Sequence, residues 1–567
     1  MKNLKDKSDS ALRLFSDIDN IFFTVLLSVI ALRVTLTESP VIQNSLFFSG
    51  MNNRIYSLTV SAVLIFVPLL WVVISCFKRR LVYRFSGIEW GVILFFAASV
   101  FSAADASDKR DAVNMVLMTS GFVLSALMLI QLLSSWFRVK LLLIVIASVL
   151  VVTGLQCRQQ WLTDNSSQIE NYESDPDHVL NLMGIEEGTL EHWMFEHRLY
   201  SRDIRGFFTT GNSAGSFIIM GIYASVVLLA GRMTGFRGRR HLFSIVSSLV
   251  LAVFGVFALF MTGSKGAIAA FSISLLIMVL LTVFADAVWK HRRVLVAAVF
   301  AASILIVAVC TFYGLRHGTL PGGNSMLVRW QYWKASGEII ADHYIRGVGP
   351  GNFASWYLHY KPAGAIETVS DPHNFLLSIL SQYGLFGLAG FLLILGVPLY
   401  RALNRSADGI IQDRASVFGG KALACLGIAA VAMFVIRPLA IPSLFQGSPS
   451  EDMAALVVLV VMPVMIFFWT AVFLAATDAM ASSVNINTGR DILLCRIQRA
   501  GLVSALCGVI VHNLVDFALF EPGVMCTFCA VLAAAVFFSG QVRVVEVLLN
   551  RISASVIVLV AVLIGGV

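Results

Sequence analysis

Ser370-Asp-Pro-His-Asn-Phe-Leu-Leu-Ser-Ile-Leu-Ser-Gln-Tyr-Gly-Leu-Phe-Gly-Leu388 opens on polar residues and then runs through apolar ones without a charge. At about 1.5 Å of rise per residue, a helix over 373–399 is long enough to cross a bilayer core. Comparable apolar runs recur about fifteen times, from 20–36 to 552–567, each near the ~17–25 residues a crossing needs. Membrane barrel strands would instead show short alternating segments. With 58% hydrophobic residues, 13% charged and a mean hydropathy of +0.83, the chain carries more apolar surface than one soluble domain can bury. These features predict an all-α, polytopic transmembrane bundle of about 14–15 spans. The last run stops at Val567 without a tail, as a piece of a longer chain would.

Basic residues decide the orientation. Lys2, Lys5, Lys7 and Arg13 precede the first run, and Lys78, Arg79, Arg80 and Arg84 follow the second. Arg138 and Lys140, the 232–240 arginines, Lys290 with Arg292 and Arg293, and then Arg401, Arg405 and Arg414 keep the same parity. By the positive-inside rule these loops and the amino terminus are cytoplasmic. The charge of +8 therefore reflects topology, and no nucleic-acid partner is implied.

The organisation expected is transmembrane helices over 1–156, an external acidic loop over 157–211, helices over 212–314, a second external loop over 315–372, and helices over 373–567. The acidic loop carries Trp161, Trp193, Phe195 and Tyr200, suited to a membrane surface. In the second loop, apolar positions 327, 330, 333, 339 and 340 mark one face of a short helix, ahead of the glycine-rich Gly347-Val-Gly-Pro-Gly-Asn-Phe353. The eight cysteines lie mostly in apolar runs. Cys526-Thr-Phe-Cys529 reads as small packing residues, with no disulfide framework and no metal site.

Asp371-Pro372-His373 reads as a helix start, with Asp371 as N-cap, Pro372 at the first helical position and His373 in the first turn. The positive end of the helix disfavours imidazolium, so His373 is expected neutral and able to accept a proton. Two readings fit: a general base, or a ring bonded to a backbone carbonyl that closes the helix end. Arg205, Lys265 and Arg329 fall at the same membrane face, which suits an anion. His512 and Asp516 are expected one turn apart on one face of a late span, either as a structural pair or as part of a site.

With these residues in hand, the chain resembles the O-antigen ligase and polymerase superfamily of bacterial membrane glycosyltransferases. The resemblance rests on Arg205-Gly-Phe-Phe-Thr-Thr-Gly-Asn212, Thr262-Gly-Ser-Lys-Gly266, and Arg329-Trp-Gln-Tyr-Trp-Lys-Ala335 leading to Asp342-His-Tyr-Ile-Arg-Gly-Val-Gly-Pro-Gly-Asn-Phe353. Its fourth piece is His373-Asn374 followed by Tyr383-Gly-Leu-Phe-Gly387. It implies transfer of a glycan from undecaprenyl diphosphate, outside the bacterial inner membrane, to a hydroxyl of a glycolipid, glycan or protein. It also implies that Arg205 and Arg329 bind the diphosphate and that His373 is the essential histidine. Lys265, Asn212, Gly349, Asn352, Asn374, His512 and Asp516 are the substrate-binding positions it suggests. The short turn carries Lys265 where the family has arginine, which keeps the charge and loses the bidentate fork. Asp175-Pro-Asp177 is a DxD in an acidic external loop, so neither a metal nor another cofactor is expected. Ligase, repeat-unit polymerase and protein O-glycosyltransferase share these motifs. A flippase for lipid-linked oligosaccharides is the rival from another class.

Overall fold

The computed structural model describes residues 2–38, 51–77, 80–233, 239–365, 367–403, 419–441, 444, 449–481, 489–548 and 555. Among them, twelve helices are long and apolar enough to cross a membrane. Of the other three expected runs, 20–36 ends the helix Lys2–Val34, 87–104 forms the 16-residue helix Glu89–Ala104, and 552–567 lies outside the described residues but for residue 555. The chain is therefore the all-α polytopic bundle its hydropathy predicts. Arg405 and Arg414 also lie outside the described residues.

Burial sorts the helices by role. The apolar window of Pro522–Ser539 is 94% buried, while none of that of Ala285–His317 is. The first is the axle of the bundle, packed all round; the second is hydrophobic all round and exposed, as a helix facing lipid must be. Trp136–Gln159 is also almost wholly buried, and it continues through a π-helical turn, Gln160–Asp164, into Asn165–Ser174.

Both long loops are small helical units. In the first, Tyr172, Leu180, Ile185 and Phe195 form a separate core. Trp161 and Trp193 remain exposed while Phe195 is buried, so only part of the aromatic set lies outward as the sequence suggested. In the second, Asn324–His343 buries Trp330, Tyr332, Ala335, Ser336 and Ile339, whereas Leu327 stays exposed. The buried face is thus rotated from the one expected, because the helix packs on Phe353–Tyr360 through Tyr332 and Tyr357.

The two glycine motifs explain each other. Val348 N and Gly349 N donate to the carbonyls of Ser381 and Gln382 at 2.8 and 3.1 Å, and Leu385 N donates to Tyr344 O at 2.8 Å. This backbone-to-backbone docking breaks the helix Phe375–Ala402 at Gly384, where φ is 69°. A Cβ there would overlap Ile345 O, and one at Gly347 would overlap Gln382. Only glycine fits both the close approach and the left-handed backbone.

Among the described residues one short sheet interrupts the helices. Arg80–Phe85 pairs antiparallel with Arg543–Leu548, Arg80 opposite Leu548. From it, Glu89–Ala104 leads to the turn at 105–108, where Asn352 docks.

Candidate functional site

The site forms around Asn513–Phe517, just after the helix Gly489–His512. Hydropathy carries the expected span past this point. The chain turns because Asn513 and Asp516 take over backbone N–H groups: Asn513 Oδ1 accepts from Leu519 N at 2.6 Å, and Asp516 Oδ1 from Phe517 N and Ala518 N at 2.8 and 3.2 Å. Side chains of this kind compete with a helix for its own backbone. The expected pairing of His512 with Asp516 one turn apart is therefore corrected. Asp516 lies beyond the helix, and the His512 ring instead meets Ser216 Oγ at 2.7 Å.

Four expected side chains converge on this segment. Arg329 Nε donates to Val515 O at 2.7 Å, its Nη1 bonds Ser325, and its Nη2 lies 3.7 Å from Asp516 Oδ2. Asn212 Nδ2 donates to the same carboxylate oxygen at 2.5 Å and accepts from Ser264 Oγ at 2.6 Å. Asn374 Nδ2 donates to Leu514 O at 2.8 Å. The His373 ring meets Phe517 edge-on at 4.6 Å and stacks on Tyr332 at 5.7 Å. Asp516, itself 1% exposed, thus joins the helices that begin at Gly211 and Asn324.

His373 does not sit in the first helical turn. Asn374 is the N-cap, its Oδ1 accepting from Leu376 N and Leu377 N at 3.0 and 3.2 Å. Asp371 instead accepts from His373 N at 2.9 Å and holds the residue at φ 54°. That left-handed conformation costs a histidine about 1 kcal/mol, and such strain collects at functional sites. The helix-closing role belongs to Asn374, and the His373 ring bonds no carbonyl among the described residues. Its Nδ1 is buried without a hydrogen-bond partner. Burial holds the ring below the ordinary histidine pKa, Arg329 adds to this, and Asp516 and Glu367 oppose it. The neutral state expected at the helix end is right in direction, but burial is its main cause.

A relay of side chains ties the glycine-rich turn to this histidine. Gly351 N donates to Gln382 Oε1 at 2.7 Å, Gln382 Nε2 to Ser378 Oγ at 2.9 Å, and Ser378 Oγ to Asp371 Oδ2 at 2.5 Å. Burial pushes the Asp371 carboxyl up to about 7. Gly349 and Asn352 belong to the far end of this relay. Asn352 Oδ1 accepts from Ser107 Oγ and Asp108 N at 2.8 and 2.7 Å, so its amide holds two loops together instead of facing His373.

Arg205 lies in the loop that leads into the helix Gly211–Met233. Its backbone N and that of Gly206 both donate to Gln160 Oε1, at 3.0 and 2.9 Å. Burial lowers its pKa, while the charges of Asp203 and Glu521 raise it. Glu521 had not been singled out, although a lone acid before Pro522 and an apolar run is a helix-start signal. Its carboxylate accepts from Thr209 N and Thr209 Oγ1 at 2.8 and 2.9 Å and anchors the Arg205 loop. Tyr332 and Phe517 were also missed; they are framed only once residues far apart in sequence meet. Lys265 is exposed and has no hydrogen bond or ion pair among the described residues. A Cβ on the next residue, Gly266, would stand 3.1 Å from His512 Nε2, so glycine allows this turn to approach.

Residues 249–392 match the family model of O-antigen ligase. That segment holds Lys265, Arg329, Gly349, Asn352, His373 and Asn374, and leaves Arg205, Asn212, His512 and Asp516 outside it. Over 156 residues, 25% of this chain, it is 30% identical to a teichuronic acid biosynthesis protein, TuaE, of Bacillus subtilis (strain 168). The match spans 31% of that relative's length. The chain is a multi-pass membrane protein that is similar to O-antigen ligase over residues 249–392.

Proposed function

We propose that this O-antigen ligase-like chain is a membrane glycosyltransferase that moves a glycan from undecaprenyl diphosphate to an acceptor hydroxyl at the external face of the bacterial inner membrane. One observation carries the reading. At the mouth of the helix Phe375–Ala402, Asn374 and Asp371 do the structural work, and the His373 ring between Tyr332 and Phe517 keeps its buried Nδ1 without a hydrogen-bond partner among the described residues. An imidazole kept neutral there is suited to accept a proton.

In the proposed step, the acceptor oxygen bonds to the anomeric carbon as the bond to the diphosphate breaks, its electron pair leaving with the diphosphate. The hydroxyl proton passes to His373. Attack in line inverts the anomeric configuration. Arg329 and Arg205, with Lys265 at the rim, stabilise the charge that grows on the leaving group. Diphosphate is already a good leaving group, so no metal is needed. Asp516 holds Arg329 and Asn212 in register, and Gln382, Ser378 and Asp371 position His373.

Transfer in liposomes tests this, using labelled undecaprenyl-diphosphate oligosaccharide, candidate acceptors, and wild type beside His373→Ala and Arg329→Ala, with and without EDTA. Transfer by wild type in EDTA, lost in both variants while donor binding persists, supports the reading. Variants that transfer like wild type refute it, and movement of the lipid without transfer would make the chain a flippase. The similarity to a protein named for teichuronic acid biosynthesis favours a second reading within the class, a repeat-unit polymerase with a growing glycan as acceptor. The acceptor that works decides between them.

A further inference from the structure

Beside the Arg205 loop, and away from His373, a groove of about 290 Å³ opens between the helices Trp136–Gln159 and Met462–Ala481. Val152, Leu155, Phe207, Met462 and Ile466 are among its apolar lining, and Arg158 is its charged group, beside the polar Gln156, Gln159 and Thr163. A largely apolar wall with one cation suits an amphiphile. Arg158 is exposed and has no hydrogen bond or ion pair among the described residues. Met462 and Val458 are exposed as well, so the slot borders the surface that faces lipid.

Both walls depart from regular helix at this place. Gln160–Asp164 and Val457–Val461 are π-helical, and Leu162, Thr163 and Val458 from these turns line the groove. A π-turn widens the local backbone and is favoured mostly where function needs it. Two in facing walls build a slot that straight helices would close by packing. The groove also connects to the proposed chemistry. Phe207 follows Arg205 by two residues, and Gln160 starts one π-turn while clamping Arg205 N and Gly206 N.

The geometry points to this groove as the seat of the polyprenyl chain of an anionic lipid, with Arg158 receiving the lipid's phosphate as it approaches Arg205. The assignment rests on the transfer reading, since the lipid is that reading's donor. Apolar walls take the isoprenoid chain by burial, and the cation selects an anionic head over a neutral one.

Native mass spectrometry of the full chain in detergent tests it, with undecaprenyl diphosphate as probe and phosphatidylglycerol as the competing lipid. Leu155→Trp fills the slot and Arg158→Glu reverses its head; thermal unfolding in the same detergent reports that both still fold. The expected result is retention of undecaprenyl diphosphate reduced at least about tenfold in Leu155→Trp and about threefold or more in Arg158→Glu, with phosphatidylglycerol unchanged. Should Leu155→Trp fail to fold, exposed Arg158→Glu decides alone. Equal loss of both lipids means an ordinary annular lipid site and overturns the inference, as does unchanged retention or a wild type that binds no undecaprenyl diphosphate. Wild type that transfers glycan while both variants bind normally sinks this inference alone. Groove-dependent binding without transfer sinks only the transfer reading.

Discussion

Arg232 and Arg329 show two uses of the same side chain. Arg232, 1% exposed, makes four hydrogen bonds, to Ser244 O, Ser247 Oγ, Ser248 Oγ and Leu474 O, at 3.2, 3.1, 2.7 and 2.6 Å. Arg329 also bonds the fold, through Val515 O and Ser325, yet keeps 17% of its side chain exposed and stands 3.7 Å from the Asp516 carboxylate. Near Arg232, the Lys140 ammonium and Asp478 close at 2.8 Å, while the buried Nδ1 of His373 has no hydrogen-bond partner among the described residues. At one end of the bundle, charge joins helices together. Beside His373, the guanidinium of Arg329 stays partly exposed and short of direct contact with its carboxylate.

The sharpest way to break this contrast is His373→Ala. Loss of a positioned base is expected to lower transfer by about 10²–10⁴-fold with the midpoint of thermal unfolding nearly unchanged. Since burial holds the imidazole below its ordinary 6.5, wild-type transfer should stay flat above neutral pH and fall only as pH drops below that value. A large loss of stability in the variant would erase the distinction. Arg232→Met should give the opposite split, about 2–3 kcal/mol of stability lost as its buried acceptors go unpaired, with activity per folded molecule retained.

Asp371→Asn is a finer test. Its carboxyl is pushed up to about 7 in the folded chain, from an ordinary 3.8. Between those values the folded state binds a proton the unfolded state has released, so this group's contribution falls as pH rises through about 7. The amide cannot ionise, yet it can still accept from His373 N. The variant should therefore gain stability relative to wild type between about pH 4 and 8, measured by chemical unfolding across that range. The smallest effect is expected from Lys265→Arg, which restores the fork on an exposed, unpaired residue. Transfer should change by less than about threefold, because exposed ion pairs contribute little.

The bundle was legible because a bilayer demands long uncharged runs, and these survive any uncertainty about neighbours. The site was legible only in its parts. Asn212 and Asp516 lie far apart in sequence, and nothing local in either announces the other. Two misreadings were of helix ends. Leu514, Val515, Phe517 and Ala518 prolong the hydropathy after the helix has stopped at His512, and the polar side chains that stop it stand among them. At Asp371-Pro372-His373-Asn374, two residues compete to cap one helix; Asn374 wins because its oxygen reaches two N–H groups, while Asp371 is occupied by His373 N. That competition, invisible in composition, sets the histidine before the helix instead of inside it.

The strand pair of Arg80–Phe85 with Arg543–Leu548 has a consequence for biosynthesis. A ribosome delivers the first strand early and its partner only after the spans between them, from Lys109–Leu132 to Pro522–Ser539, have been made. Until then the edge at Arg80–Phe85 stands open, and the early helices lack Pro522–Ser539, the axle on which they pack. Nascent chains halted before residue 543 should thus be unlocked at one end and prime substrates for membrane quality control, however completely their earlier spans have entered the bilayer.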